Sequence, residues 1–200
     1  MKLATIVLIG TLCVSCSAGR WQELPAPAKA IALRGFTFVP PADPGWHVNT
    51  EASPDSSLLV ARRGDPYENY AIEAYVLPVP VFESDADFLR AAKDGWGVKH
   101  DPRYKLKEEH VDDHVLQGER AVLGHALAQD DGEPPRFGFG NPRQPGPMMF
   151  EEITLWCRHP RNRKLCLNLT FSLRFYPGEA DASFRERAMR VVESVRFTDP

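Results

Sequence analysis

Two histidines bracket two aspartates in the run HVDDH, His110 to His114, and Glu109 lies beside them. On a helix, His110 and His114 would share a face and could chelate zinc. On a strand, His110, Asp112 and His114 would share a face instead. The run lacks the glutamate that serves as base in a metalloprotease helix. No apolar stripe at helical spacing surrounds it, and a zinc site needs a further ligand and an open position. The run is therefore read as a solvated turn between two strands, and neither a metal nor a cofactor is expected. A metal-dependent envelope enzyme built on His110 to His114 is the alternative.

A second cluster is basic. RHPRNRK, residues 158 to 164, places Arg158, Arg161, Arg163 and Lys164 at what reads as a hairpin tip. Such a patch suits an anionic partner: a phospholipid headgroup, a glycan or an acidic protein. A charged tip that keeps a loop soluble is the more ordinary role. No Gly-x-Ser-x-Gly elbow occurs to support a hydrolase nucleophile, and FGFGN lacks the lysine and helix of a phosphate cradle. The adjacent pairs Glu151-Glu152 and Asp130-Asp131 would point to opposite faces of a strand, so both are read as surface charge. The polar row Asn168, Thr170, Ser172 and Arg174 could line a cleft, although the wet face of a sheet is its plainer reading.

The N-terminus speaks to location. Met1 and Lys2 precede an uncharged run from Leu3 to Val14, too short for the roughly 20 residues of a spanning helix and within the range of a signal-peptide core. Leu12-Cys13-Val14-Ser15-Cys16 resembles the lipobox of bacterial lipoproteins. That resemblance implies cleavage after residue 15, a lipidated Cys16, and anchoring to the membrane through several acyl chains, which hold where one chain binds only reversibly. Ser17 is not the aspartate that marks inner-membrane retention, so the periplasmic face of the outer membrane is implied. A formal net charge of −3 is far from the strong basicity that would point to nucleic acid. The length suits one domain.

Residues 16–32, rich in Ala and Pro, read as a tether, with a single α+β domain over 33–200. Short strands are expected in GFTFVP, GWHVNT, SSLLVARR and NYAIEAYVLPV, where Tyr70, Ile72, Ala74 and Val76 share a face. Ser84 and Asp87 form a capping-box-like start to a helix over 85–96 carrying Phe88, Leu89, Ala92 and Trp96. YKLKEEHV and ERAVLGHALA read as strands. Residues 130–147 are too rich in Pro and Gly for helix or central strand. From Leu165 to Phe175 every odd position is apolar, which predicts a strand with one core face. Phe184, Ala188, Val191, Val192 and Val195 then predict a helix, and VRFT a last strand.

GFTFVPPADPGW, the helix FLRAAKDGW and the closing FRERAMRVVESVRF resemble, in pattern and order, the PsbP proteins of photosystems and the Ran-binding import factor Mog. The resemblance implies an α/β/α sandwich, an antiparallel sheet flanked by helices, serving as a non-catalytic module. In an oxidising compartment, Cys157 and Cys166 are expected to form a disulfide. The odd-numbered core positions put the two on different faces, so the bond would require a β-bulge or an irregular loop end, either of which shifts register by one residue. Together these readings predict a lipid-anchored, non-enzymatic binding or assembly module whose partner is an envelope protein or glycan.

Overall fold

The computed structural model describes residues 21–49, 53–63, 68–95, 101–131 and 147–200. The leader, Cys16, Trp96 and residues 132–146 of the Pro/Gly-rich stretch lie outside these. Eleven strands and two helices follow in chain order: β1 (Trp21–Glu23), β2 (Ile31–Leu33), β3 (Phe36–Phe38), β4 (His47–Asn49), β5 (Ser56–Arg62), β6 (Asn69–Pro78), α1 (Asp85–Gly95), β7 (Tyr104–Leu116), β8 (Glu119–Asp130), β9 (Met148–Arg158), β10 (Leu165–Phe175), α2 (Phe184–Glu193) and β11 (Arg196–Phe197). Eight strands form one antiparallel sheet in the order β1-β4-β5-β6-β10-β9-β8-β7, and β11-β3-β2 form a small second sheet. Sheet pairing already begins at Trp21, opposite Asn49, inside the stretch read as tether.

The alternation in β10 decides which face is buried. Leu167, Leu169, Phe171 and Leu173 join Ile153, Leu155 and Cys157 of β9 and Ile72 and Ala74 of β6 in the main core. Phe184, Ala188, Val191 and Val192 of α2, together with Phe36 and Phe38, close that core from above. Burying each large apolar side chain contributes about 2 kcal/mol. We call this the core face.

The opposite face overturns the sandwich expectation. Among the described residues the protein is mainly antiparallel β, with two short helices and no flanking helical layer. An 11-residue helix such as α1 is about 16 Å long and 10 Å across, whereas eight strands at about 4.8 Å span roughly 35 Å. α1 covers only one corner, where Phe88, Leu89 and Ala92 pack on Val122 and Cys166. Its start is held as expected: Asp87 N donates to Ser84 Oγ at 3.2 Å and Ser84 Oγ donates to Asp87 at 2.7 Å. Among the described residues, no other helix covers this second face.

HVDDH is not a turn. It lies inside β7, paired from His110↔His125 to His114↔Ala121, and the turn comes later at Gln117 and Gly118. β7 is an edge strand, and its charged side chains are what discourages a second chain from adding to that edge. Among the described residues, no helix is long and apolar enough to cross a membrane.

Candidate functional site

On the open face the even-numbered residues of β10 meet odd-numbered residues of β6 and even-numbered residues of β9 in register. Thr170 lies between Glu73 of β6 and Thr154 of β9, and Ser172 between Ala71 and Glu152. One step along, Arg174 lies between Asn69 and Phe150, and in the other direction Asn168 lies between Tyr75 and Trp156. These rows form the floor of a cleft of about 480 Å³, bounded by Leu58 and Val60 on one side and by Tyr104 and Asp101 on the other. The polar row Asn168, Thr170, Ser172 and Arg174 therefore does line a cleft.

Some of these groups are satisfied within the protein. Thr154 Oγ1 and Thr170 Oγ1 are 2.9 Å apart and share one hydrogen bond. Arg174 donates to the Tyr104 hydroxyl at 3.0 Å and stands 3.4 Å from Asp130. Asp130 is buried and also takes two hydrogen bonds from Arg103, at 2.5 and 2.7 Å. Others are not satisfied. Glu152 is only 8 % exposed and Ser172 only 9 %, yet neither receives a hydrogen bond or ion pair from another described residue. The Trp156 Nε1 is likewise buried without a partner. Burial, and then the Glu73 charge, push the Glu152 carboxyl up to about 7, against a smaller opposing pull from His125.

Glu152 corrects the reading of Glu151-Glu152 as surface charge. The two do point to opposite faces, but Glu151 turns to His125, 2.9 Å away, and Glu152 turns into the cleft. His110 stacks on His125 at 6.3 Å between ring centres and bonds to Glu108 at 2.9 Å. Among the described residues, no group of three or more His, Cys, Asp or Glu side chains is placed to hold a metal.

The basic tip between β9 and β10 is largely engaged by carboxylates and backbone carbonyls of the protein itself. Arg158 is buried, lies over the Phe88 ring at 4.3 Å and bonds to Asp85. Arg163 reaches both Asp85 and Glu119, the latter at 2.6 Å. Arg161 donates to Thr198 O at 2.9 Å and pairs with Asp199 at 2.6 Å. Lys164 is exposed at the tip. His159, which the sequence did not single out, organises the turn. Fully buried, it accepts the amides of Arg161 and Asn162 at Nδ1 and donates from Nε2 to Thr198 O at 2.9 Å.

The expected disulfide is absent: Cys157 and Cys166 are both free and buried. β9 and β10 pair without a bulge, Leu167 facing Cys157 and Cys166 facing Arg158. Cys157 therefore enters the main core and Cys166 packs under α1, on opposite sides of the sheet. Burial pushes both thiols up to about 12.

No protein-family model matches this chain, and neither does any curated protein. The cleft's own chemistry is what remains to speak for function.

Proposed function

We propose that the protein is a lipid-anchored, non-enzymatic binding module of the bacterial envelope, tethered through Cys16 at the periplasmic face of the outer membrane, and that the open-face cleft holds its ligand. The anchor rests on the lipobox-like run ending at Cys16. The binding role is carried by one observation: a cleft of about 480 Å³ with Glu152 and Ser172 on its floor, nearly buried and without a partner among the described residues. A buried polar group without a partner costs free energy. A ligand that supplies the missing partner recovers that cost on binding. Small-molecule sites set a few polar groups among apolar and aromatic side chains, and here Leu58, Val60, Tyr104, Phe150 and Trp156 stand beside the polar floor.

Two measurements test this reading. Cys16→Ala releases the protein from membranes or leaves it unprocessed, and unchanged, carbonate-resistant membrane association overturns the anchor. Titrating isotope-labelled mature protein with a panel of small polar solutes shifts the Trp156 indole and the amides of residues 152–156. A panel spanning cations, neutral polyols and anions that leaves all of these unmoved overturns the cleft.

A further inference from the structure

We infer that the ligand of this cleft carries an organic ammonium group, seated between Glu73 and Glu152. This rests on the binding role proposed above and names the chemistry of its ligand.

The cleft is short of positive charge. Its lining includes the carboxylates Glu73, Glu152 and Asp101 and one basic residue, Arg174. The Arg174 guanidinium is already engaged by Tyr104 and Asp130, so it is not free to compensate Glu152. Glu73 and Glu152 lie on strands either side of β10, one two-residue step apart in register. Strand geometry puts their Cα atoms about 12 Å apart, so two glutamate side chains reaching inward can flank one small cation. Beside Glu152 stands Ser172, directly opposite it in register and also without a partner among the described residues. An ammonium brings three donors and a full charge, and it matches an acceptor-only carboxylate better than any neutral donor. A charge-assisted bond of this kind is roughly twice as strong as a neutral one. Trp156 lines the same cleft and adds apolar surface for the ligand's aliphatic part.

The proton balance follows from the surroundings of Glu152. Glu73 of β6 faces it from one side, Arg174 of β10 lies diagonally, Glu109 of β7 lies beyond Ala126, and His125 of β8 points to the opposite face. With the Glu152 carboxyl at about 7, it is about one-tenth ionised at pH 6 and nine-tenths at pH 8. An ammonium that binds the ionised form gains about tenfold in affinity between these pH values and releases a proton near neutrality.

One carbon skeleton in three charge states supplies the test. N-methylglucamine is a cation throughout this range, sorbitol is its neutral counterpart and gluconate its anionic one. Each is titrated calorimetrically into the full-length mature protein at pH 6 and 8, in two buffers of different ionisation heat. Spermidine is the added arm that separates a polyamine ligand from a hydroxylated amine. The inference expects at least one of the two amines to bind more tightly than sorbitol and gluconate, to tighten about tenfold from pH 6 to 8, and to release a proton at pH 7. It expects the pH dependence and the proton release to vanish in Glu152→Gln, and affinity to fall in Glu73→Gln, while both variants keep the wild-type circular dichroism. Sorbitol or gluconate bound as tightly as the amines overturns the ammonium and leaves the cleft standing as a binding site. Amine binding unaltered in Glu152→Gln overturns the assignment to this carboxylate. Failure of all four solutes to bind overturns the ammonium inference, and the wider solute panel then decides the cleft.

Discussion

Replacing Glu152 by Gln is expected to stabilise the protein, and by an amount that depends on pH. The neutral carboxyl and the carboxamide are close in shape, so at low pH the two chains differ little. The carboxyl is raised from its ordinary 4.5 to about 7 by burial and by the Glu73 charge. An acid whose folded value lies above its unfolded value gives up a proton more readily when unfolded. Its contribution is therefore complete below about 4.5 and is lost as pH rises through about 7. The interval between the two values, at about 1.4 kcal/mol per pH unit, makes an ionised Glu152 cost on the order of 3 kcal/mol. The carboxamide of the variant carries no such cost. Urea unfolding followed by tryptophan fluorescence at pH 5, 6, 7 and 8.5 should show the variant's advantage growing from about 1 kcal/mol to about 3 kcal/mol, most steeply between 5 and 7. Asp181 works in the other direction. Burial alone would raise it, but hydrogen bonds from Tyr70 and Ser183 and the Arg187 charge hold it down to about 2, so its contribution is lost only below about pH 4 and cancels between the two chains. A stability difference that stays constant from pH 5 to 8.5 refutes the placement of Glu152 as a buried, uncompensated carboxylate.

Three further outcomes follow from geometry. Asp85→Ala strips the buried Arg158 and its neighbour Arg163 of a shared carboxylate, which should cost about 2 kcal/mol, read from urea unfolding, with Asp85→Asn milder. Gly35 has φ +73°, and an added Cβ would stand 3.1 Å from the His159 ring, so Gly35→Ala should lower stability by about 1–2 kcal/mol in the same assay. Cys157 and Cys166, pushed up to about 12, should react with a thiol reagent at pH 8 about a thousandfold more slowly than free cysteine. Both should titrate at once in guanidinium without reductant, and a count of zero there would reinstate the disulfide.

The parts of the fold that were legible were those that one element settles alone. β10 runs over Leu165–Phe175, as its alternation indicates, and α1 starts at Asp85 behind Ser84. YKLKEEHV reads as a strand and opens β7, but its continuation through HVDDH reads as a turn because an edge strand with a wet outer flank has no need of alternation. The reach of the helical cover was misjudged because strand count, which fixes the width to be covered, is not written in any one segment. The cleft was half visible. Its floor row on β10 was in view, whereas Glu152 and Glu73 become neighbours only through the register of β6, β10 and β9. The fate of Arg158, Arg161 and Arg163 depended on Asp85, Glu119 and the C-terminal residues, all distant in sequence.

The opposed thiols set an order of events for folding. Cys157 and Cys166 are close enough along the chain that the open polypeptide can bring them together easily, since short loops close at little entropic cost. A bond made at that stage would require the two sulfurs to meet on one side of the nascent hairpin, which the straight register of β9 and β10 forbids. The chain would have to slip by one residue, and a slip by one turns every side chain of β10 over. Leu167, Leu169, Phe171 and Leu173 would then face the cleft, and Thr170 and Ser172 the core. Premature oxidation would thus act as a register lock on an inside-out sheet, and the hairpin must zip before an oxidant reaches it.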